Sequence, residues 1–378
     1  MLFKKILIAP NSFKECADSV NISDLIYSKL SEQSDLILIK RPISDGGDGF
    51  LSVCALDFNL EILKYLISTP YNEEKFLCEV GYDRINKTVY IETANVMGMK
   101  IIPLDKRHPV KLSSKGMGDL LLSIMKDMEA GKIEANEIVI GIGGTGTNDL
   151  GIGMLSRMGL NLLGSEDKII EPLPIYFNDI KSINDNVLKV PFRIKLIVDV
   201  DNPLLGETGA TKVFGRQKGS TDEEVEFIES GFSKIINLFD YKGLLRSSKI
   251  LSGAGGGIAA AFQVFFDAEI MHSNVFISEN LNIRDIADID LIITGEGKFD
   301  EQSIMKKATG SILEISEPLS TPVLLICGKI DDNIKTMLPE RVTVFELVQV
   351  FGNENESIKN FNAGLKMACD VALKIIES

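Results

Sequence analysis

The chain has 378 residues, 45 % hydrophobic and 25 % charged, with 40 Lys and Arg against 54 Asp and Glu and a formal charge of −14. That is the composition of a globular protein long enough for two domains and a large core. The acidic balance excludes a nucleic-acid-backbone surface, which needs clustered positive charge.

Two histidines, His108 and His272, exclude a His-rich zinc site and leave almost no material for a Ser-His-Asp triad. Cys16, Cys54, Cys78, Cys327 and Cys369 are scattered with no C-x-x-C pair, so they are expected as free thiols in a reducing compartment. The first apolar run, Ile6 to Ala9, is too short for a signal-peptide core. No apolar stretch approaches the roughly 20 residues that span a bilayer. A cytoplasmic protein with no membrane or nucleic-acid partner is expected.

Strands are predicted at Lys5–Ala9, Leu36–Arg41, Lys87–Glu92, Glu137–Gly141, Arg193–Val198, Leu291–Thr294, Val323–Cys327 and Val342–Leu347. Several are unbroken Val/Ile/Leu runs, as parallel strands covered on both faces require. Helices are predicted at Ile22–Ser31 behind an N-cap at Asn21, at Met117–Ala130 before Gly131, at Ala259–Phe266 and at Ile358–Ile376. Such alternation means α/β. The middle of the chain is richer in glycine and has long irregular spans such as Leu163–Val190. The two ends, 1–65 and 285–378, are therefore expected to form one doubly wound parallel-sheet domain. Residues 66–284 are expected as an inserted α/β domain, with a ligand cleft between the two.

The strongest functional signal is a series of glycine-dense, carboxylate-bearing turns, most of them following apolar runs. They are Ser44-Asp45-Gly46-Gly47-Asp48-Gly49, the stretch Gly141 to Asp149, Gly253-Ala254-Gly255-Gly256-Gly257, and Thr294-Gly295-Glu296-Gly297-Lys298-Phe299-Asp300. Glycine admits close backbone approach, and successive N–H groups cradle anionic oxygens. Carboxylates in the same turns suit a magnesium–nucleotide complex. Gly141-x-Gly143-x-x-Gly146 matches a dinucleotide fingerprint, with Glu166 about 20 residues on. Thr147-Asn148-Asp149 follows where a Rossmann helix should begin with small apolar residues, so NAD binding is set aside. Thr145, Thr147, Asn148 and Asp149 read as groups that bind a hydroxylated ligand or a metal.

No G-x-x-x-x-G-K-[ST] and no kinase H-R-D occurs. Phosphoryl transfer then needs lysines for phosphate, carboxylates for magnesium and a carboxylate for the acceptor proton. Asp45, Asp48, Asp199, Asp201, Glu296 and Asp300 stand at or near strand ends, and Lys14, Lys218, Lys298 and Lys307 stand near the turns. Lys218 is favoured, since Gly215 and Gly219 bracket it and Arg216 adds charge.

At these residues the chain resembles bacterial glycerate kinases with a flavodoxin-like domain and an inserted second α/β domain. The similar segments are Ala9 to Lys14, Ser44 to Gly49, Ile91-Glu92-Thr93-Ala94, Gly141 to Gly153, Asp199 to Leu204, Phe214 to Gly219 and Thr294 to Gln302, in the family's order. The resemblance implies ATP- and Mg²⁺-dependent phosphorylation of D-glycerate. On that basis Gly143, Gly144, Thr145, Gly255, Gly256, Gly295 and Lys307 are expected around the nucleotide. Lys218 is expected near phosphate, Asp45 and Glu296 at Mg²⁺, and Asp199 as the group that orients the acceptor hydroxyl and takes its proton. Thr145, Asn148, Asn202, Ser12 and Lys14 are expected around glycerate. The 2-hydroxyl is the favoured acceptor. A homodimer is compatible with the sequence.

The chain departs from the family pattern at several positions. Asn11 stands where the family has Asp, Glu15 where it has Gly, Asp48 where it has Glu, and Arg216 where it has Pro. Lys306 and Thr309 replace parts of a Gly-Lys-x-Pro segment. Because Asn11 cannot be an anionic ligand or a base, two alternatives stay open. One is a kinase for another small hydroxy acid; the other is a degenerate nucleotide-binding protein without turnover.

Overall fold

The computed structural model describes residues 4–13, 16–245, 250–280, 288–305, 308–318 and 320–377. The chain divides into two compact units, residues 1–57 with 272–378, and residues 58–271. In chain order the strands begin with β1 (Lys4–Pro10) and β2 (Leu36–Lys40) in the first unit. The second unit contributes β3 (Glu61–Ser68), β4 (Lys75–Asp83), β5 (Thr88–Glu92), β6 (Glu137–Gly141), β7 (Leu160–Leu163), β8 (Ile169–Ile170), β9 (Ser182–Asp185) and β10 (Arg193–Val198). The strand β11 (Glu269–His272) follows, and β12 (Leu291–Phe299), β13 (Val323–Ile330) and β14 (Val342–Glu346) return to the first unit.

The first unit is a five-stranded sheet in the order β14-β13-β12-β1-β2, parallel throughout. This is the flavodoxin-like 2-1-3-4-5 order, whose switch point lies between the first and third strands, here β1 and β12. Ile6, Leu7, Ile8 and Ala9 are fully buried, because strands flank β1 on both edges and helices cover both faces. The helix α1 (Ser19–Leu30) packs Ile22, Ile26 and Leu30 into that core beside Leu365 and Ala368 of the C-terminal helix Phe361–Glu377. The N-cap is Asp18 rather than Asn21: its Oδ1 accepts the Asn21 N–H at 2.8 Å, and its Oδ2 accepts from the Asn21 side-chain amide at 2.7 Å. The helix α2 (Phe50–Phe58) follows β2 and runs to the boundary of the units. The expected C-terminal helix Ile358–Ile376 is two helices, Glu354–Lys359 and Phe361–Glu377.

A second difference concerns β12. The turn expected after Thr294 does not form; the strand runs on through Gly295, Glu296 and Lys298 to Phe299, paired with β13. A Cβ at Gly295 would lie 2.0 Å from Ile326 O, so glycine is what lets the two strands stay this close.

The second unit is a six-stranded sheet in the order β11-β10-β6-β5-β4-β3. Strands β10, β6 and β5 run parallel, and β5, β4 and β3 antiparallel. Its helices are α3 (Thr93–Met97), α4 (Lys115–Glu129), α5 (Ile152–Arg157), α6 (Ala210–Phe214), α7 (Asp222–Tyr241) and α8 (Ile258–Phe266). The span expected to be irregular, Leu163–Val190, carries a small sheet in the order β8-β7-β9. Helix α7 starts at a capping box, Thr221 with Glu224. It buries Ile228, Phe232, Ile235 and Phe239 against Phe177 and Phe262. No helix among the described residues is long and apolar enough to cross a membrane.

Gly231 lies on the buried face of α7, and a Cβ there would fall 2.1 Å from Cδ2 of Phe177. Alanine gains about 1 kcal/mol of helix propensity over glycine; overpacking typically costs about 1–3 kcal/mol. The clash is the larger effect, so Gly231→Ala is expected to lower the urea midpoint. A raised midpoint would show that Phe177 has room to move.

Candidate active site

The carboxyl ends of β5, β6 and β10 point the same way, and the polar turns of the second unit leave from them. After β6 the chain enters Ile142 to Asp149, and α5 begins only at Ile152 behind a left-handed Gly151. That gap is why the glycine pattern makes no dinucleotide fold. The turn is held by its neighbours. Thr93 Oγ1 lies 2.8 Å from Gly141 O and accepts from the Gly143 N–H at 3.1 Å. Met99 N–H donates to Gly144 O at 3.1 Å, and Gly146 N–H to Met97 O at 2.8 Å.

Lys218 closes this turn. Its ammonium donates to Thr145 Oγ1 at 3.1 Å and to Thr147 O at 2.7 Å. The stem is partly exposed while the ammonium is enclosed. Burial pushes its pKa down to about 8, against an opposing pull from Asp149. Gly256 packs against the same group. It has φ +70°, and a Cβ there would sit 2.2 Å from Thr147 O and 3.0 Å from Lys218 Nζ. Gly255, also left-handed, fits against Ile142 and Ile258. The Gly256 carbonyl accepts from Leu150 N–H at 3.1 Å, tying the two glycine turns together. Asn148 is 1 % exposed. Its Oδ1 accepts from the Thr211 hydroxyl at 3.4 Å, while its Nδ2 is buried with no acceptor among the described residues. A buried amide N–H without a partner is costly and is suited to a ligand oxygen.

Asp149, read from sequence as a ligand- or metal-binding group, turns inward instead. It is fully buried. Oδ2 accepts from Ser114 N–H at 2.7 Å, Ser114 Oγ at 2.8 Å and Gly153 N–H at 3.2 Å, and Oδ1 accepts from Gly151 N–H at 3.1 Å. Burial raises its pKa while these hydrogen bonds oppose the rise. Three of the four donors thus fall on Oδ2 and one on Oδ1, and the carboxylate serves its own turn.

Of the remaining expected residues in this unit, Asp199 follows β10 half-buried. Asn202 spends its Nδ2 on Thr208 O at 2.8 Å, closing the loop from 202 to 208. The structure therefore brings together Gly143, Gly144, Thr145, Asn148, Gly255, Gly256 and Lys218. Thr93, Ser114 and Thr211, which support them, were not singled out from sequence as site residues. The signals for Thr93 are its place just beyond the buried end of β5 and its presence in the segment Ile91-Glu92-Thr93-Ala94.

In the first unit the expected residues gather at the carboxyl ends of β1, β2 and β12. Asn11 is buried, donates its N–H to Gly295 O at 2.9 Å and accepts the Ser12 N–H on Oδ1 at 2.8 Å. This contact bridges β1 and β12 at the switch point. Asp45 lies in the loop after β2, with Oδ1 accepting the Gly47 N–H at 3.0 Å. Glu296 on β12 is 6 % exposed. Lys14, Glu15, Lys306 and Lys307 lie outside the described residues. Among the described residues no three His, Cys, Asp or Glu side chains cluster as a metal cage. One or two carboxylates are what Mg²⁺ takes from a protein when phosphate oxygens and water complete its octahedron. Asp45 and Glu296 are the carboxylates expected to meet it.

The enclosed Lys218 ammonium costs stability. A pKa drop from 10.5 to about 8 corresponds to about 2 kcal/mol once the partly exposed stem is allowed for. The folded pKa is the lower one, so the penalty is fully present below pH 8 and disappears as pH rises toward 10.5. Lys218→Met is expected to raise the denaturation midpoint at neutral pH, by an amount that shrinks above pH 8. A midpoint that falls, or a gain independent of pH, would refute this.

Comparison with known proteins places the chain in a family. The family model described as "Glycerate kinase family" matches residues 6–377. A glycerate kinase of Bacillus cereus is 31 % identical over 87 % of this chain and 86 % of its own. Glycerate 2-kinase of Escherichia coli is 30 % identical over 94 % of this chain and 93 % of its own. A crystal structure named for glycerate kinase 2 of Salmonella typhimurium superposes with a TM-score of 0.75 at 27 % identity, covering 98 % of both chains. The chain belongs to the glycerate kinase family, whose members are phosphotransferases with an alcohol group as acceptor.

Proposed function

We propose that the protein phosphorylates D-glycerate with ATP and that the product is 2-phosphoglycerate. The observation that carries this reading is Lys218. Among the described residues its enclosed ammonium hydrogen-bonds two neutral oxygens, Thr145 Oγ1 and Thr147 O. Its third N–H can therefore meet an anionic oxygen. A cation held this way in a glycine-lined turn is preorganised for charge on a transferring phosphoryl group.

In this reading Gly143, Gly144, Thr145, Gly255, Gly256 and Gly295 lie along the nucleotide. Glycerate is held by Asn148, Asn202 and Ser12, with the Asn148 Nδ2 offering its unused donor. Asp45 and Glu296 hold Mg²⁺, which neutralises phosphate charge when it is bound. Asp199 orients the acceptor hydroxyl and takes its proton. The E. coli relative, a glycerate 2-kinase by name, supports the 2-position.

ADP release with ATP, Mg²⁺ and D-glycerate, followed by phosphorus NMR of the product, tests the reading. A 2-phosphoglycerate resonance is expected; a 3-phosphoglycerate resonance would overturn the regiochemistry, and no turnover would overturn the substrate. Asp199→Asn is expected to lower kcat by about 10²–10⁴ with little change in ATP affinity. Near-native kcat in that variant would remove Asp199 from its role.

A further inference from the structure

The catalytic reading gives Asp149 nothing to do, yet few side chains are built in more completely. It is fully buried, it receives four hydrogen bonds, and it stands one residue beyond Asn148 in the turn that receives Lys218. Its anchors come from two places. Ser114, just before α4, gives both its N–H and its hydroxyl, and Gly151 and Gly153 give their N–H groups from the start of α5. The Ser114 hydroxyl also accepts the Met154 N–H at 3.0 Å, so one serine joins α4 to α5 through the carboxylate. The fit is tight: a Cβ at Gly153 would lie 2.9 Å from Asp149 Oδ2 and 2.1 Å from Ser113 Oγ.

We propose that Asp149 is the positioning residue of the Lys218 centre. It locks the turn whose Thr145 hydroxyl and Thr147 carbonyl receive the ammonium, and from two residues beyond that carbonyl its carboxylate acts on the ammonium's charge. The inference rests on the reading of Lys218 as the phosphate-facing cation.

The electrostatics agree in sign. Burial drives the Lys218 proton off, and Asp149 is the ionisable group that opposes it among the described residues. Other charges nearby in sequence are already spent. Lys212 on α6 pairs with Glu207 at 2.9 Å and Glu226 at 3.5 Å, and Arg216 pairs with Asp222 at 2.5 Å. The glycine turn from 253 to 257 carries no ionisable side chain. An opposite charge favours the protonated form of a lysine. In a poorly solvated site that decides whether the lysine is a cation near neutral pH.

Two measurements on the full chain test this. The first is the pH profile of kcat/KM with ATP and D-glycerate for wild type, Asp149→Asn and Ser114→Ala. Removing the carboxylate's charge is expected to move the alkaline limb to lower pH by about one unit. Ser114→Ala weakens the same turn and keeps the charge, so its limb should stay in place. Equal loss of activity in both variants with unmoved limbs would reduce Asp149 to a structural anchor and overturn the proposal.

The second is a double-mutant cycle on denaturation midpoints with Asp149→Asn and Lys218→Met, which needs no turnover. At neutral pH the midpoint loss from Asp149→Asn should differ between the wild-type and Lys218→Met backgrounds, and the two losses should converge at about pH 9.5, above the Lys218 titration. Additive losses at both pH values would overturn the coupling. Absence of glycerate turnover in the wild type would sink the kinase reading while leaving this cycle decisive. If Asp149→Asn does not fold, isotope-edited infrared spectra of Lys218→Met give the same answer. The protonated-carboxyl band of a buried aspartate should persist to higher pH than in the wild type, and unchanged titration would refute the charge coupling.

Discussion

The arrangement of the second unit's site depends on one contact, the Lys218 ammonium on Thr145 Oγ1 and Thr147 O. Without it the turn from 142 to 149 would keep its ties through Thr93, Met97 and Met99, through Thr211 to Asn148 and through Asp149, and would lose the bonds at Thr145 Oγ1 and Thr147 O. With it, the second half is fixed from the opposite side by a residue some seventy positions later in the chain. The cost is a charge taken from water. A methionine would fill the same volume without it.

That one contact constrains the residues around it. Gly256 must lack a side chain because the space a Cβ would take is filled by Thr147 O and Lys218 Nζ. Its left-handed backbone also lets its carbonyl reach Leu150 N–H, so the second glycine turn buttresses the first. Asp149 must be aspartate rather than a neutral isostere because all four groups that reach it are hydrogen-bond donors. An asparagine would turn an N–H against one of them and leave a buried donor facing a donor. Site chemistry and local folding thus use the same few residues.

Much of the parallel framework was legible from sequence. Glu137–Gly141 and Arg193–Val198 were placed to the residue, because an apolar run flanked by charge on one side and glycine or aspartate on the other has few alternatives. The failures have physical causes. Strands β7, β8 and β9 have two to four residues each, too few for any period to show. The hairpin of β3 and β4 was missed although its inward residues, Tyr65, Ile67, Cys78 and Val80, alternate with outward ones. Exposed Leu66 and Leu77 sit opposite each other on its outer face and blur that alternation. For the site, residue types were legible and directions were not. Asn148 and Asp149 are adjacent and both buried; only the fold shows that one amide keeps a free donor while the neighbouring carboxylate is consumed by its own turn.

Position 11 shows how a departure from the family pattern is accommodated. The backbone of Asn11 closes β1 onto β12 through Gly295 O, and its side chain accepts the Ser12 N–H. Both jobs need a peptide N–H and a side-chain carbonyl oxygen, and an amide supplies them as well as a carboxylate does. Being buried, an amide at this position also avoids the desolvation cost that a charged group would carry. The local fold at the switch point therefore makes no demand for a negative charge at residue 11. The carboxylates at this end of the unit include Asp45, in the loop after β2, and Glu296, on β12. Asparagine there carries one negative charge fewer than aspartate would, while both hydrogen bonds remain.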